Sequence, residues 1–309
     1  MKKFRVLYIL LVLLSLALLF STCSSPSGGD GGYDPFAFTM IDVPLPPEAG
    51  FTVSTGVTTK ITKSYKMMET EVTQGLWKAV MGNNPSTFTV NPEGGSADLL
   101  PVESMTWYAA IDFCNKLSTA MGKEPVYTFK GTPTYTAEGN IEDVTGVPIG
   151  QHPVIWNDTK NGYRLPTEME WQWAAMGADT RANAWQKAYA GDTNLASNFD
   201  PATNGIGGYA WYASGTYTSI AYTGTADSKT HQAGWLVGNE LNLKDMSGNV
   251  WEWCWDWYET DYAGAPSGPG RVMRGSGWVG NATYCAVAYR GRNDPDVRDN
   301  SIGFRVVCP

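Results

Sequence analysis

The sequence predicts an α+β domain, loop-rich, with short helices set around small antiparallel sheets. Three observations carry this. The chain holds 34 glycines and 13 tryptophans with only 17% charged residues. That composition means many turns and much buried aromatic area, and it suits neither a helical bundle nor a disordered chain. Three short stretches carry capped helical signals. The other patterned stretches are brief, with Thr and Val favouring extended structure, as in short strands.

The N-terminus stands apart. "MKK" gives a basic start, and "VLYILLVLLSLALLF" is an apolar run too short for a comfortable span but right for a signal peptide. Residues 1–22 therefore read as a lipoprotein signal peptide, cleaved before Cys23, which would carry the lipid. "SSPSGGDGG" continues as a flexible tether over 23–34. The domain is expected over 35–309, with no repeat or interdomain linker.

Along that domain, "FAFTMIDVP" and "KSYKMMETEVT" read as strands. "TQGLWKAVMG" reads as a helix capped by Thr73 and ended by Gly82. In "TWYAAIDFCNKLSTAMG", Thr106 opens a helix, Gly122 stops it, and Trp107, Ala110, Ile111, Cys114 and Leu117 share one face. Residues 125–160 are Pro/Gly/Thr-rich hairpins. "RLPTEMEWQWAAMG" opens at Thr167, with Glu170 at the capping-box position. Residues 178–240 promise loops and short strands. "MSGNVWEWCWDWY" places Trp251, Trp253 and Trp255 on one face of a strand, as core or pocket floor. "RVMRGSG" and "IGFRVV" read as strands bracketing the last patternless stretch.

A net charge of −8 and no Lys/Arg cluster after residue 5 exclude nucleic acid and anionic membrane surfaces as partners. The only membrane contact expected is the lipid. Cys114, Cys254, Cys285 and Cys308 fit no zinc spacing and could pair as disulfides, Cys254 with Cys285 among the options. His152 and His231 are isolated, and no Ser-His-Asp arrangement, phosphate loop or HExxH motif is present.

Five segments in order, "METEVTQGLWKAVMGNNPS", "PVESMTWYAAIDFCNKLS", "GYRLPTEMEWQWAAMG", "NELNLKDMSGNVWEWCWDWY" and "RVMRGSGW…IGFRVV", resemble the formylglycine-generating-enzyme, or sulfatase-modifying-factor, family. The resemblance implies a C-type lectin-like fold of the formylglycine-generating-enzyme type. It also implies that Arg290 and Arg305 are structural. The family's enzymes oxidise a cysteine of sulfatases with two cysteines on Cu(I), an ion that soft thiolates select. Laid on that pattern, "RGSGWVGNATYC" puts Cys285 at the second cysteine and Gly280 at the first. One thiolate cannot build the site, so no copper and no enzyme activity are expected. The family's calcium site maps onto Asp245, Gly248, Val250 and Glu252, an oxygen-only set that suits Ca²⁺.

From Gly275 to Ile302 there is no Lys, Glu, Gln or Met. With Trp, these are the residues that codons ending in a pyrimidine cannot encode, and such codons arise when the adenines of an asparagine codon are replaced. The stretch thus resembles the variable region of retroelement-diversified proteins of the treponemal type, which are surface lipoproteins on this same fold. That resemblance implies a non-catalytic ligand-binding protein, lipid-anchored in the cell envelope at the outer membrane surface. Its partner would be a protein or other macromolecule. The variable region would span about 276–301. The binding residues would be Val279, Gly280, Asn281, Thr283, Tyr284, Ala286, Tyr289, Gly291, Arg292, Asn293, Asp294, Asp296, Val297, Asp299 and Asn300. Tyr284, Tyr289 and Arg292 are the expected anchors, because Tyr and Arg dominate binding hot spots. The rival readings are a copper-dependent oxidase using Cys285 and a fixed-specificity calcium-dependent lectin, whose Glu-Pro-Asn or Gln-Pro-Asp signature is absent.

Overall fold

The caps position the helices. In the computed structural model, Thr73 accepts a hydrogen bond from Leu76 N–H, and Gly82 closes α1 (Gln74–Met81) at a left-handed φ of 80°. Thr106 accepts from Ala109 N–H to open α2 (Trp107–Ala120), and Gly122 follows its end at φ 69°. Thr167 and Glu170 close a reciprocal capping box at the start of α3 (Glu168–Ala175). All five residues of the expected apolar face of α2 are fully buried.

The structure describes residues 33–48, 50–54, 57–137, 139–146, 153–181, 187–193, 205–217, 220–222, 224–259 and 267–309. The expected signal peptide, Cys23 as the expected lipid-bearing residue, nearly all of the tether and His152 lie outside the described residues. Residues 1–37 form one unit, described only at 33–37, where Phe36 N–H donates to Asp34 Oδ1 at 2.9 Å. Residues 38–309 form the other. Among the described residues no helix is long and apolar enough to cross a membrane.

The described strands are β1 (Met40–Val43), β2 (Phe51–Ser54), β3 (Val57–Thr59), β4 (Tyr65–Met68), β5 (Tyr127–Phe129), β6 (Thr132–Tyr135), β7 (Ile141–Thr145) and β8 (Val154–Trp156). They continue with β9 (Gly215–Tyr217), β10 (Ile220–Tyr222), β11 (Trp251–Trp257), β12 (Arg271–Arg274), β13 (Gly291–Asn293), β14 (Ile302–Gly303) and β15 (Val307–Cys308). One sheet runs β1-β4-β15 and another β13-β12-β11-β14; the rest are two-stranded. Among the described strands, one pairing departs from the antiparallel expectation. β14 lies parallel to β11, with Trp251 opposite Ile302, because the chain leaves β12 and returns on the far side of β11 in the same direction.

β11 differs from its expected alternation. Trp253, Glu252 and Cys254 are all buried, and the register against β12 shifts between Trp253 and Trp257. A central strand covered by α3 on one side and by Trp107 on the other buries both faces. Trp253 is core, Trp255 stacks at 5.1 Å on Tyr127, and Trp251 stays half-buried at the end nearest β13. The four cysteines of the domain are buried, and Cys254 and Cys285 carry free thiols, so no disulfide forms between them.

Candidate functional site

Between β12 and β14 the segment 276–301 crosses the end of the sheet, held mostly through its own backbone. Trp278 N–H donates to Asn249 O at 2.7 Å, and Ala213 N–H donates to Gly280 O at 2.8 Å. Asn281 caps the turn Ala282–Cys285 by accepting from Thr283 N–H. Ser247 Oγ donates to Cys285 O at 2.8 Å. The buried Arg274 reaches two carbonyls, those of Val287 (3.1 Å) and Tyr289 (2.9 Å). Further on, Trp107 N–H and Ser104 N–H donate to the carbonyls of Pro295 and Asp299. These partners grip main-chain atoms, which every residue type carries, so the loop path does not depend on most of its side chains.

The side chains divide accordingly. Ala282, Cys285 and Val287 point into the core. Val279, Tyr284, Tyr289, Arg292, Asp294, Asp296 and Asp299 are exposed, and Asn281, Thr283, Ala286, Gly291, Asn293, Val297 and Asn300 are half-buried. Gly280 departs from its expected place on the surface: it is buried, and a Cβ there would overlap the hydroxyl of Ser276. Asp299 is partly structural, its carboxylate accepting from Ser301 N–H and Oγ.

Two of the expected anchors, Tyr284 and Tyr289, come together. The Tyr284 and Tyr289 rings lie 4.7 Å apart, and Tyr289 lies 6.0 Å from Trp251. Partial burial and the neighbouring Tyr284 raise the Tyr289 hydroxyl pKa. Arg292 stands 5.2 Å from the Tyr258 ring centroid. Arg290 is a strut: it grips both oxygens of Glu168 at 2.6 and 2.7 Å and covers Tyr258 at 4.4 Å. Tyr258, Glu168 and Arg274 escaped the sequence reading. Tyr258 ends the aromatic run that follows Trp251, but its contact with Arg292 crosses between distant segments.

At the positions the resemblance gives to the copper cysteines, the residues do not fit a two-thiolate site: Gly280 offers no sulfur, and a Cβ there would overlap the Ser276 hydroxyl. Burial pushes the Cys285 thiol up to about 12, away from the thiolate a metal needs. At the calcium position the mapped set fits only in part. Asp245 is buried, with Oδ2 accepting from Gly234 N–H and Oδ1 without a hydrogen-bond partner. Glu252, by contrast, is already engaged: Arg305 donates to its two oxygens at 2.6 and 2.7 Å and Trp171 Nε1 at 2.7 Å. Burial pushes Asp245 up to about 6, and burial with the neighbouring Asp245 and Glu252 charges raises Glu71 well above the usual carboxylate range. Among the described residues no three His, Cys, Asp or Glu side chains are disposed to hold a metal. His231 is buried, stacked at 3.7 Å on Trp211, with Nδ1 2.5 Å from Glu93.

A loop-rich α+β domain whose last sheet carries a long surface segment is the formylglycine-generating-enzyme type of C-type lectin-like fold. The chain belongs to that family: residues 48–309 match the sulfatase-modifying factor enzyme 1-like domain. The structure is similar to that of Treponema denticola variable protein 1, at TM-score 0.66 and 35% identity, covering 88% of this chain and 95% of that one. In sequence the chain is 33% identical over 245 residues to the chaperone protein LppX of Paenibacillus barcinonensis, covering 77% of each. It is also 33% identical over 213 residues to the formylglycine-generating enzyme of Streptomyces coelicolor, covering 61% of this chain and 62% of that enzyme.

Proposed function

We propose that this protein is a non-catalytic ligand-binding member of the family, whose binding face is the segment 276–301 and is diversified by a retroelement. The observation that carries the reading is the division of labour in that segment: its backbone is held by fixed groups, while its exposed side chains are free to differ. Binding residues on a rigid scaffold can then change without changing the fold. Two relatives support it, a variable protein and a chaperone, neither named as an oxidase. Glycine at the position of the first copper cysteine, crowded by Ser276, supports the loss of oxidase chemistry. Cys23 would anchor the chain by lipid at the outer membrane surface, and the partner is a protein or other macromolecule. Calcium would rest on Asp245 with the carbonyls of Gly248 and Val250, Glu252 being committed to Arg305. A rise in Tm with added calcium that Asp245→Ala abolishes is the expected signature.

The test is genetic. The gene and its flanks are expected to contain a second copy of the segment encoding 276–303, differing almost only at adenines, beside a reverse transcriptase gene. Lack of such a copy would remove the diversification and leave one fixed ligand. Turnover of a cysteine peptide with added copper would overturn the non-catalytic reading itself.

A further inference from the structure

We infer that Gly291 sets the position of Trp251, so that the residue at 291 decides the shape of the binding floor although Trp251 lies outside the varied segment. The inference rests on the ligand-binding reading for its importance, and on steric geometry alone for its substance. Gly291 begins β13, opposite Met273 of β12. Its backbone is outside the left-handed region, so the main chain there accepts any L residue. Space is what glycine supplies. A Cβ at 291 would stand 2.9 Å from Cζ3 of Trp251, 3.2 Å from Cη2 and 3.3 Å from Cε3, all on the six-membered edge of the indole. Real carbon contacts of that kind fall near 3.5–4.0 Å. Since β13 is tied to β12 by its ladder, the indole must yield.

Where the indole goes follows from its neighbours. Trp251 is half-buried at the surface end of β11, and its outward neighbour is Tyr289 at 6.0 Å, itself tilted on Tyr284 at 4.7 Å. A side chain at 291 therefore lifts Trp251 toward Tyr289 and disturbs the aromatic row on which Tyr284 depends. With glycine the floor stays low, and with any other residue it rises. Gly280 offers the contrast: it is buried, and a Cβ there runs into Ser276, beneath the face. Of the three glycines in the segment, Gly277 and Gly280 are buried, and only Gly291 acts on the surface a partner would touch.

The test is a double-mutant cycle that needs no ligand. Gly291→Ala is expected to lower Tm by about 2–4 °C, as a contact strained by roughly 1 kcal/mol does in a chain of this size. It should also shift the Trp251 indole N–H resonance, assigned by its loss in Trp251→Phe. In a Trp251→Ala background the same Gly291→Ala change should leave Tm unchanged. An equal loss of Tm with and without the indole, or an unmoved Trp251 resonance in a folded Gly291→Ala protein, would overturn the inference. Should Gly291→Ala fail to fold, recovery of a folded protein by Trp251→Ala/Gly291→Ala supports it and continued failure overturns it. The gene survey proposed above decides the ligand-binding reading separately, so the two can fail independently.

Discussion

Arg305 ties three distant stretches together. Its guanidinium binds Glu252 through two nitrogens and also donates to the carbonyls of Met68 at 3.1 Å and Lys244 at 2.8 Å. Both partners are fully buried, so removing one leaves a bare charge in the core. Arg305→Met is therefore expected to cost about 3–5 kcal/mol in denaturant unfolding. Replacing Glu252 and Arg305 together with apolar residues should cost much less. The cysteines make a second residue-scale case. All four are buried, and burial raises the pKa values of Cys114, Cys254 and Cys285. A thiol reagent at about pH 8 is expected to leave them unmodified in the folded protein and to react with all four after denaturation. Modification in the folded state would show that the core opens.

At the scale of the element, α3 begins beside a buried acid that has no cation of its own on the helix. Asp256 accepts the Glu168 N–H at 2.6 Å, and its carboxyl is pushed from 3.8 up to about 6, first by burial and then by the Glu168 charge. Between those values the folded protein holds a proton that the unfolded chain has released. Stability from this group is thus complete below about pH 4 and is lost as pH rises through 6. Asp256→Asn keeps an acceptor for Glu168 N–H and removes the titration. Its Tm should gain on the wild type as pH climbs from about 4 to above 6, and parallel curves would refute the assignment. The helices themselves were legible in the sequence because a cap acts within three residues: Thr73, Thr106 and Thr167 each sit where the pattern puts them. The parallel pairing of β14 and the burial of both faces of β11 were not legible, since each depends on a partner about fifty residues away or more. The segment 276–301 stood out by composition, lacking Lys, Glu, Gln and Met. The burial of Gly280 was hidden, because it is set by where the Ser276 hydroxyl lies and not by any local pattern.

For the whole molecule, the scaffold and the face answer to different forces. Trp77, Trp107, Trp171, Trp173 and Trp253 are among the largest fully buried side chains, and none belongs to the segment 276–301. Single changes at Val279, Tyr284, Arg292, Asp294 or Asp296 to serine are expected to move stability by only about 0.5 kcal/mol, as exposed positions do. The check is Tm across that set. A loss of several degrees at most of these positions would mean that the face is part of the core, and the division between frame and face would fall.

The segment leaves β12, runs back along its outer edge as β13, and reaches β14 on the far side of β11, so both its ends and its middle are held in register. Such a bridge has one span. Letters within it can be rewritten, but an inserted or deleted residue would drag Ile302 out of line with Trp251 and carry Arg305 away from Glu252. The repertoire this architecture permits is a repertoire of spelling at constant word length, unlike the loops of an antibody, whose reach is itself a variable.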